Sequence, residues 1–63
     1  MTLQEIADYA MDYLDSKGVA AEYDIFKCKS CVKISANNDY VILTSSYSRI
    51  EVNSRLKRYI LNT

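Results

Sequence analysis

Two periods of apolar positions divide the chain. Near the start, apolar side chains fall at Leu3, Ile6, Ala7, Ala10, Met11 and Leu14. That is the i, i+3, i+4, i+7 spacing that lays one stripe along an α-helix. Thr2-Leu3-Gln4-Glu5 supplies a start: Thr2 as N-cap and Glu5 at N3 form a capping box, with Met1 and Ile6 placed as a hydrophobic staple. Gly18 supplies a stop, at the position of a left-handed C′ residue, and Val19 can reach back to Leu14 as in a Schellman end. Start, stripe and stop agree on a helix over residues 3–17.

From Ile25 the period shortens to two. Phe26, Cys28, Val32 and Ile34 share one parity, interrupted only at Ser30, while Lys27, Lys29, Cys31 and Lys33 share the other. This alternation predicts one strand with a buried and a wet face. Asn37-Asn38 follows, and both residues tolerate the positive φ of a type I′ turn. Tyr40-Val41-Ile42-Leu43-Thr44 then runs back. A two-residue loop pairs Ala36 with Asp39 and Ser35 with Tyr40, and then Ile34 with Val41 and Val32 with Leu43, so that both sides of these last two pairs face the core. On the wet face Lys33 falls opposite Ile42 and Cys31 opposite Thr44, where lysine stems can cover Ile42.

In the tail, Ile50-Glu51-Val52 reads as a short third strand. A helix capped by Asn53 or Ser54 then follows, with Leu56, Tyr59 and Ile60 inward. A helix that begins at Ser48 competes, because Ser48-Arg49-Ile50-Glu51 is a second capping box. The strand is preferred because a two-stranded ribbon is poorly stable alone. The expected fold is α+β, in the order α-β-β-(β)-α. It is one small domain over residues 1–63, with an N-terminal helix, an antiparallel β-hairpin or three-stranded sheet, and a C-terminal helix. This order is similar to that of double-stranded-RNA-binding domains, and the resemblance is one of element order alone. Where that family carries a KKxAK-type basic cluster, this chain reads NSRLKRYI.

Composition narrows the chemistry. The chain has 63 residues, 49% of them apolar and 25% charged. Such a balance reads as folded rather than disordered, though a core this small supplies only about 3–5 kcal/mol. No apolar run approaches the length of a membrane span. The opening MTLQEIADY has acids where a signal peptide needs a basic start, so the expected compartment is cytoplasmic. There is no His, hence neither the commonest general base nor the commonest metal ligand. Ser-His-Asp and Cys-His arrangements are excluded with it. The lone glycine is used at a helix end, and the carboxylates form a solvated stripe rather than a converging pair. No catalytic residue, cofactor or metal is expected.

Cys28-Lys29-Ser30-Cys31 is a single C-x-x-C. No second pair completes a four-ligand zinc site. Within one strand the two cysteines point to opposite faces with Cα atoms about 10 Å apart, beyond the roughly 7 Å limit for a disulfide. Cys28 is therefore expected in the core and Cys31 as a wet-face thiol, with Lys27, Lys29 and Lys33 near it to raise its reactivity. A tight turn at Lys29-Ser30 would bring the sulfurs together and reverse the argument.

Charge carries the functional expectation. Lys+Arg and Asp+Glu both number 8, but they are segregated. Glu5, Asp8, Asp12, Asp15, Glu22 and Asp24 oppose Lys17 alone in residues 1–24. Lys27, Lys29, Lys33, Arg49, Arg55, Lys57 and Arg58 oppose only Asp39 and Glu51 in the rest. Three readings compete. The halves neutralise each other, within the monomer or across a homodimer. Alternatively, the acidic helix docks on a basic protein surface: Glu5, Asp8, Asp12 and Asp15 fall within an arc of about 80°, and Tyr9 and Tyr13 border it with contact area. In the third reading Lys27, Lys29, Lys33, Tyr40, Arg49, Arg55, Lys57 and Arg58 contact nucleic acid. A pI of about 6.1 counts against that one. Six tyrosines exceed what so small a core absorbs, and exposed Tyr favours contact surfaces. The chain is therefore read as a non-enzymatic binding protein with a macromolecular protein partner. Motif-poor α/β chains of this size resemble accessory proteins of phages and mobile elements, which often inhibit a host enzyme or a defence complex such as CRISPR–Cas. The alternative is a small nucleic-acid-binding protein or regulator.

Overall fold

The first helix, α1, spans Leu3–Ser16 in a computed structural model that describes residues 1–61. Both predicted ends are formed. Thr2 Oγ1 accepts the Glu5 amide at 3.1 Å, and Glu5 Oε1 accepts the Thr2 amide at 2.8 Å. At the other end Gly18 has φ 75°. Its N–H donates to Asp15 O at 3.0 Å, and the Val19 N–H donates to Leu14 O at 2.9 Å, the two bonds of a Schellman end. A Cβ at Gly18 would meet no atom within 4 Å, so the backbone angle and not crowding calls for glycine there.

Three antiparallel strands follow, β1 (Glu22–Phe26), β2 (Cys31–Ala36) and β3 (Asp39–Thr44), in the spatial order β1-β2-β3. The β2–β3 register is the expected one, from Ala36 opposite Asp39 to Cys31 opposite Thr44. Asn37 and Asn38 turn the hairpin with φ of 53° and 65°, both positive as a type I′ turn requires.

Two expectations are corrected. The strand read as continuous from Ile25 is broken by a 3-10 turn at Lys27–Lys29. Ser30 closes the turn in the left-handed region at φ 51°. Its N–H donates to Lys27 O at 3.2 Å, and its carbonyl accepts the Ser45 N–H at 2.9 Å. The chain thus reverses, and β1 pairs with β2 from Phe26–Cys31 to Glu22–Ser35. The single break in parity, at Ser30, marks the reversal.

The third strand is consequently β1 and not Ile50-Glu51-Val52. Those residues lie in the second helix, α2, which spans Arg49–Leu61. Ser48 begins it: its Oγ accepts the Glu51 amide at 3.2 Å, and its carbonyl accepts the Val52 N–H at 2.9 Å. With the sheet completed elsewhere, this segment follows its local capping signal. Asn53 and Ser54 therefore lie inside the helix and do not cap it. Leu56 and Tyr59 face inward as expected.

Ile6, Ala7, Ala10 and Leu14 of α1 pack with Val32, Ile34, Ala36 and Leu43 of the sheet and Val52, Leu56 and Tyr59 of α2. Each large aliphatic side chain fully buried there contributes about 1.5–3 kcal/mol. α1 lies on β1 and β2, while α2 lies on β3 and against α1. Both helices thus cover one face of the sheet and leave the other open. No helix among the described residues is long and apolar enough to cross a membrane.

Candidate functional site

The acidic stripe is displayed as its helical spacing requires: Glu5, Asp8, Asp12 and Asp15 are all exposed on α1. They differ in what they hold. Glu5 is tied into the helix cap, and its hydrogen bonds with the Thr2 backbone and side chain hold its carboxyl below the usual range; Arg49 adds a smaller pull in the same direction. Asp8 Oδ1 accepts Gln4 Nε2 at 3.0 Å. Asp12 and Asp15 have no side-chain hydrogen bond or ion pair among the described residues.

Tyr9 and Tyr13 do not stand free beside the acids. Both are half-buried, with ring centroids 6.5 Å apart and planes inclined at 26°, and Tyr9 reaches into the seam between α1 and α2. The Tyr9 hydroxyl donates to Asn53 Oδ1 at 3.1 Å, and the Arg49 guanidinium lies 5.8 Å from its ring. Lys17 Nζ lies 5.7 Å from the Tyr13 ring. The rings hold the helix that carries the acids and offer a partner only their remaining surface.

The cations do not gather in one patch. Lys27 and Lys29 sit in the 3-10 turn, and Lys57 is exposed on α2. Arg49 is in the helix seam. Arg55 lies 4.3 Å from the Tyr47 ring, with Nε 3.2 Å from Glu51 Oε1. Arg55 and Arg58 line a groove of about 240 Å3 between α2 and β3, together with Asp39, Tyr40, Val41 and Tyr59. Lys33 is on the open sheet face, its Nζ 4.9 Å from the Tyr40 ring. Arg55–Glu51 is the one side-chain ion pair among the described residues, so none joins the acidic half of the chain to the basic half. The segregation becomes lateral in space: acids on α1 and β1, cations from the 3-10 turn through β2 to α2.

The open sheet face was expected as a wet face with Lys33 beside Ile42, and it carries an apolar cluster that the sequence pattern did not single out. Strand register arranges it in three rows, Phe26–Cys31–Thr44, Asp24–Lys33–Ile42 and Glu22–Ser35–Tyr40. Phe26 is 41% exposed, Tyr40 57% and Ile42 37%. With Lys29, Cys31 and Lys33 these three line a shallow concavity of about 360 Å3. The signal was the apolar residues at both parities of β3, since a strand with one wet face has no need of Tyr40 and Ile42 on it.

The cysteines are the reverse of the expectation. Cys28 is exposed and Cys31 is buried, and both are free thiols. The turn takes Cys28 out of the strand pattern. Cys31 keeps the outer face that its pairing with Thr44 demands, but it lies on the central strand between Phe26 and Thr44 and is only 8% exposed. Among the described residues no group of three or more His, Cys, Asp or Glu side chains could hold a metal ion. No protein-family model, curated protein or solved structure matches the chain.

Proposed function

We propose that this is a small non-enzymatic binding protein that docks on a basic protein surface through the acidic face of α1. In this reading it acts as a phage or mobile-element accessory protein does when it inhibits a host enzyme or a defence complex, in the anti-CRISPR-like manner. One observation carries the reading: Asp8, Asp12 and Asp15 stand exposed on one helix face, and no ion pair among the described residues ties them to the chain's own cations. Carboxylates kept close together repel, and Asp15 in the last turn opposes the helix dipole at a cost of a few tenths of a kcal/mol. A basic partner offsets both costs and gains a steered encounter. The helix is fixed at both ends and against α2, so little ordering is needed on binding.

A second reading, nucleic-acid binding, is favoured by the approach of Lys33 to Tyr40 on the open sheet face, since cations beside aromatic rings suit single strands. Asp24 and Glu22 on the same face oppose it.

Two double variants separate the readings in a nuclease-treated pull-down at rising salt. Asp8→Lys with Asp12→Lys is expected to abolish partner capture while changing stability by under about 0.5 kcal/mol per site, as exposed positions do. Lys29→Glu with Lys33→Glu is expected to leave capture unchanged. The opposite ranking, with a recovered complex that nuclease destroys, would transfer the function to the second reading.

A further inference from the structure

We propose that the open sheet face is the interface of a homodimer, in which a second copy of this chain lies face to face on it about a twofold axis parallel to β2. The charge pattern across the sheet selects this arrangement. On β1 the open face carries Glu22 and Asp24. Lys33 on β2 turns its ammonium toward Tyr40 of β3, and Arg55 and Arg58 border the groove beyond Tyr40. Apart from Lys29 beside Phe26 and Asp39 in that groove, the charge therefore changes sign from the β1 edge of the face to the β3 edge. A twofold axis along β2 exchanges left and right, so β1 of each copy comes over β3 of the other: Glu22 falls over Tyr40, where the Lys33 ammonium of the other copy lies, and Asp24 falls over Ile42, while the two Lys33 side chains start at the axis and lean apart. An axis across the strands would lay β1 on β1, acid against acid.

Phe26, Ile42 and Tyr40 supply the apolar surface that such a contact removes from water. Sheets that meet in this way pack about 10 Å apart, with their strands within about 30° of one another. The product has four layers, helix, sheet, sheet and helix, and carries one acidic α1 face on each outer side. A nucleic acid on the same face would instead meet Glu22 and Asp24 on β1.

The footprint sets the strength. Three strands about 4.8 Å apart, with a rise of about 3.3 Å per residue, cover roughly 15 × 20 Å. That is well under the roughly 800 Å2 per partner of a standard stable interface. The dimer is accordingly weak and in exchange with monomer.

Sedimentation equilibrium of the full chain, from micromolar to millimolar concentration at low and high salt, tests this. The mass should rise from monomer to dimer and stop there, with the transition moved to higher concentration by salt. Ile42→Lys should raise the dissociation constant by about tenfold or more. Tyr40→Lys is the second variant, used if Ile42→Lys loses its native circular dichroism. Lys33→Glu should weaken the dimer, and adding Glu22→Lys should restore it, because the exchanged charges still match across the axis. Asp8→Lys with Asp12→Lys lies on the opposite layer and should leave association unchanged, so failure of the acidic-helix reading does not touch this one. A wild-type chain that stays monomeric at millimolar concentration and low salt overturns the proposal, and so does a dimer indifferent to both Ile42→Lys and Tyr40→Lys. An oligonucleotide that binds a monomeric chain and is lost with Lys33→Glu would assign the face to nucleic acid instead.

Discussion

Tyr59 Oη lies 3.1 Å from Ala36 O and 3.1 Å from Asp39 O, so one phenol proton serves the two carbonyls that flank the Asn37-Asn38 turn. Burial pushes its pKa above the ordinary value, Asp39 adds to the rise, and the hydrogen bond to Ala36 draws it partly back. The unfolded chain therefore loses this proton more readily than the folded one. The stabilisation is complete below the unfolded pKa, near 10, and is lost as pH rises through the higher folded value. Tyr59→Phe should cost about 1 kcal/mol at neutral pH and should make stability fall less steeply above about pH 10. Urea unfolding of both proteins across that range checks this, and equal alkaline slopes would remove Tyr59 as the cause. Helical spacing placed Tyr59 inward, but its acceptors lie 20 and 23 residues away, beyond the reach of any local pattern.

Local signals explain why α1 and the β2–β3 hairpin were legible and the β1–β2 connection was not. Every bond that starts or stops α1 joins residues within five positions of one another, so the sequence window contains the whole device. The β1–β2 connection depends on a serine at positive φ, and glycine and asparagine are the usual marks of that conformation. Without such a mark the alternation of residues 25–34 reads as one strand, which leaves residues 50–52 as the candidate third strand. The same error inverted the cysteines. Cys28 should now react with a thiol probe at least about tenfold faster than Cys31 in the native protein, with the two rates converging on unfolding. Peptide mapping after timed alkylation reads both rates, and equal native rates would show that Phe26 and Thr44 do not shield Cys31.

At the scale of the molecule, the acidic stripe could be read from the helical wheel because it lies on one element. Lateral polarity could not, since it depends on which strand takes which edge and on which helix covers it. The tyrosines were legible as boundary residues, but their role was not. Tyr9 meets Arg49 and Asn53, 40 and 44 residues further along the chain, and only the assembled fold brings them together. Phe26, Tyr40 and Ile42 became a surface for the same reason: β1 had to return beside β2 before one side of the sheet could be defined.

The Tyr9–Asn53 seam also has a consequence for the rate of folding. The two hairpins and α1 can form from neighbouring segments, whereas the seam closes a loop of more than forty residues, whose entropy cost falls late. Contacts made after the folding barrier slow unfolding and leave folding almost untouched. Tyr9→Leu, which keeps the bulk of the side chain but loses the hydroxyl and the aromatic face, should cost about 1 kcal/mol. Nearly all of that cost should appear as faster unfolding, about fivefold in rate. Stopped-flow refolding and unfolding arms separate the two, and a folding arm slowed by the same factor would place the seam inside the nucleus. If the seam closes late, its grip on α1 determines how long the folded chain persists and has little influence on how fast it forms.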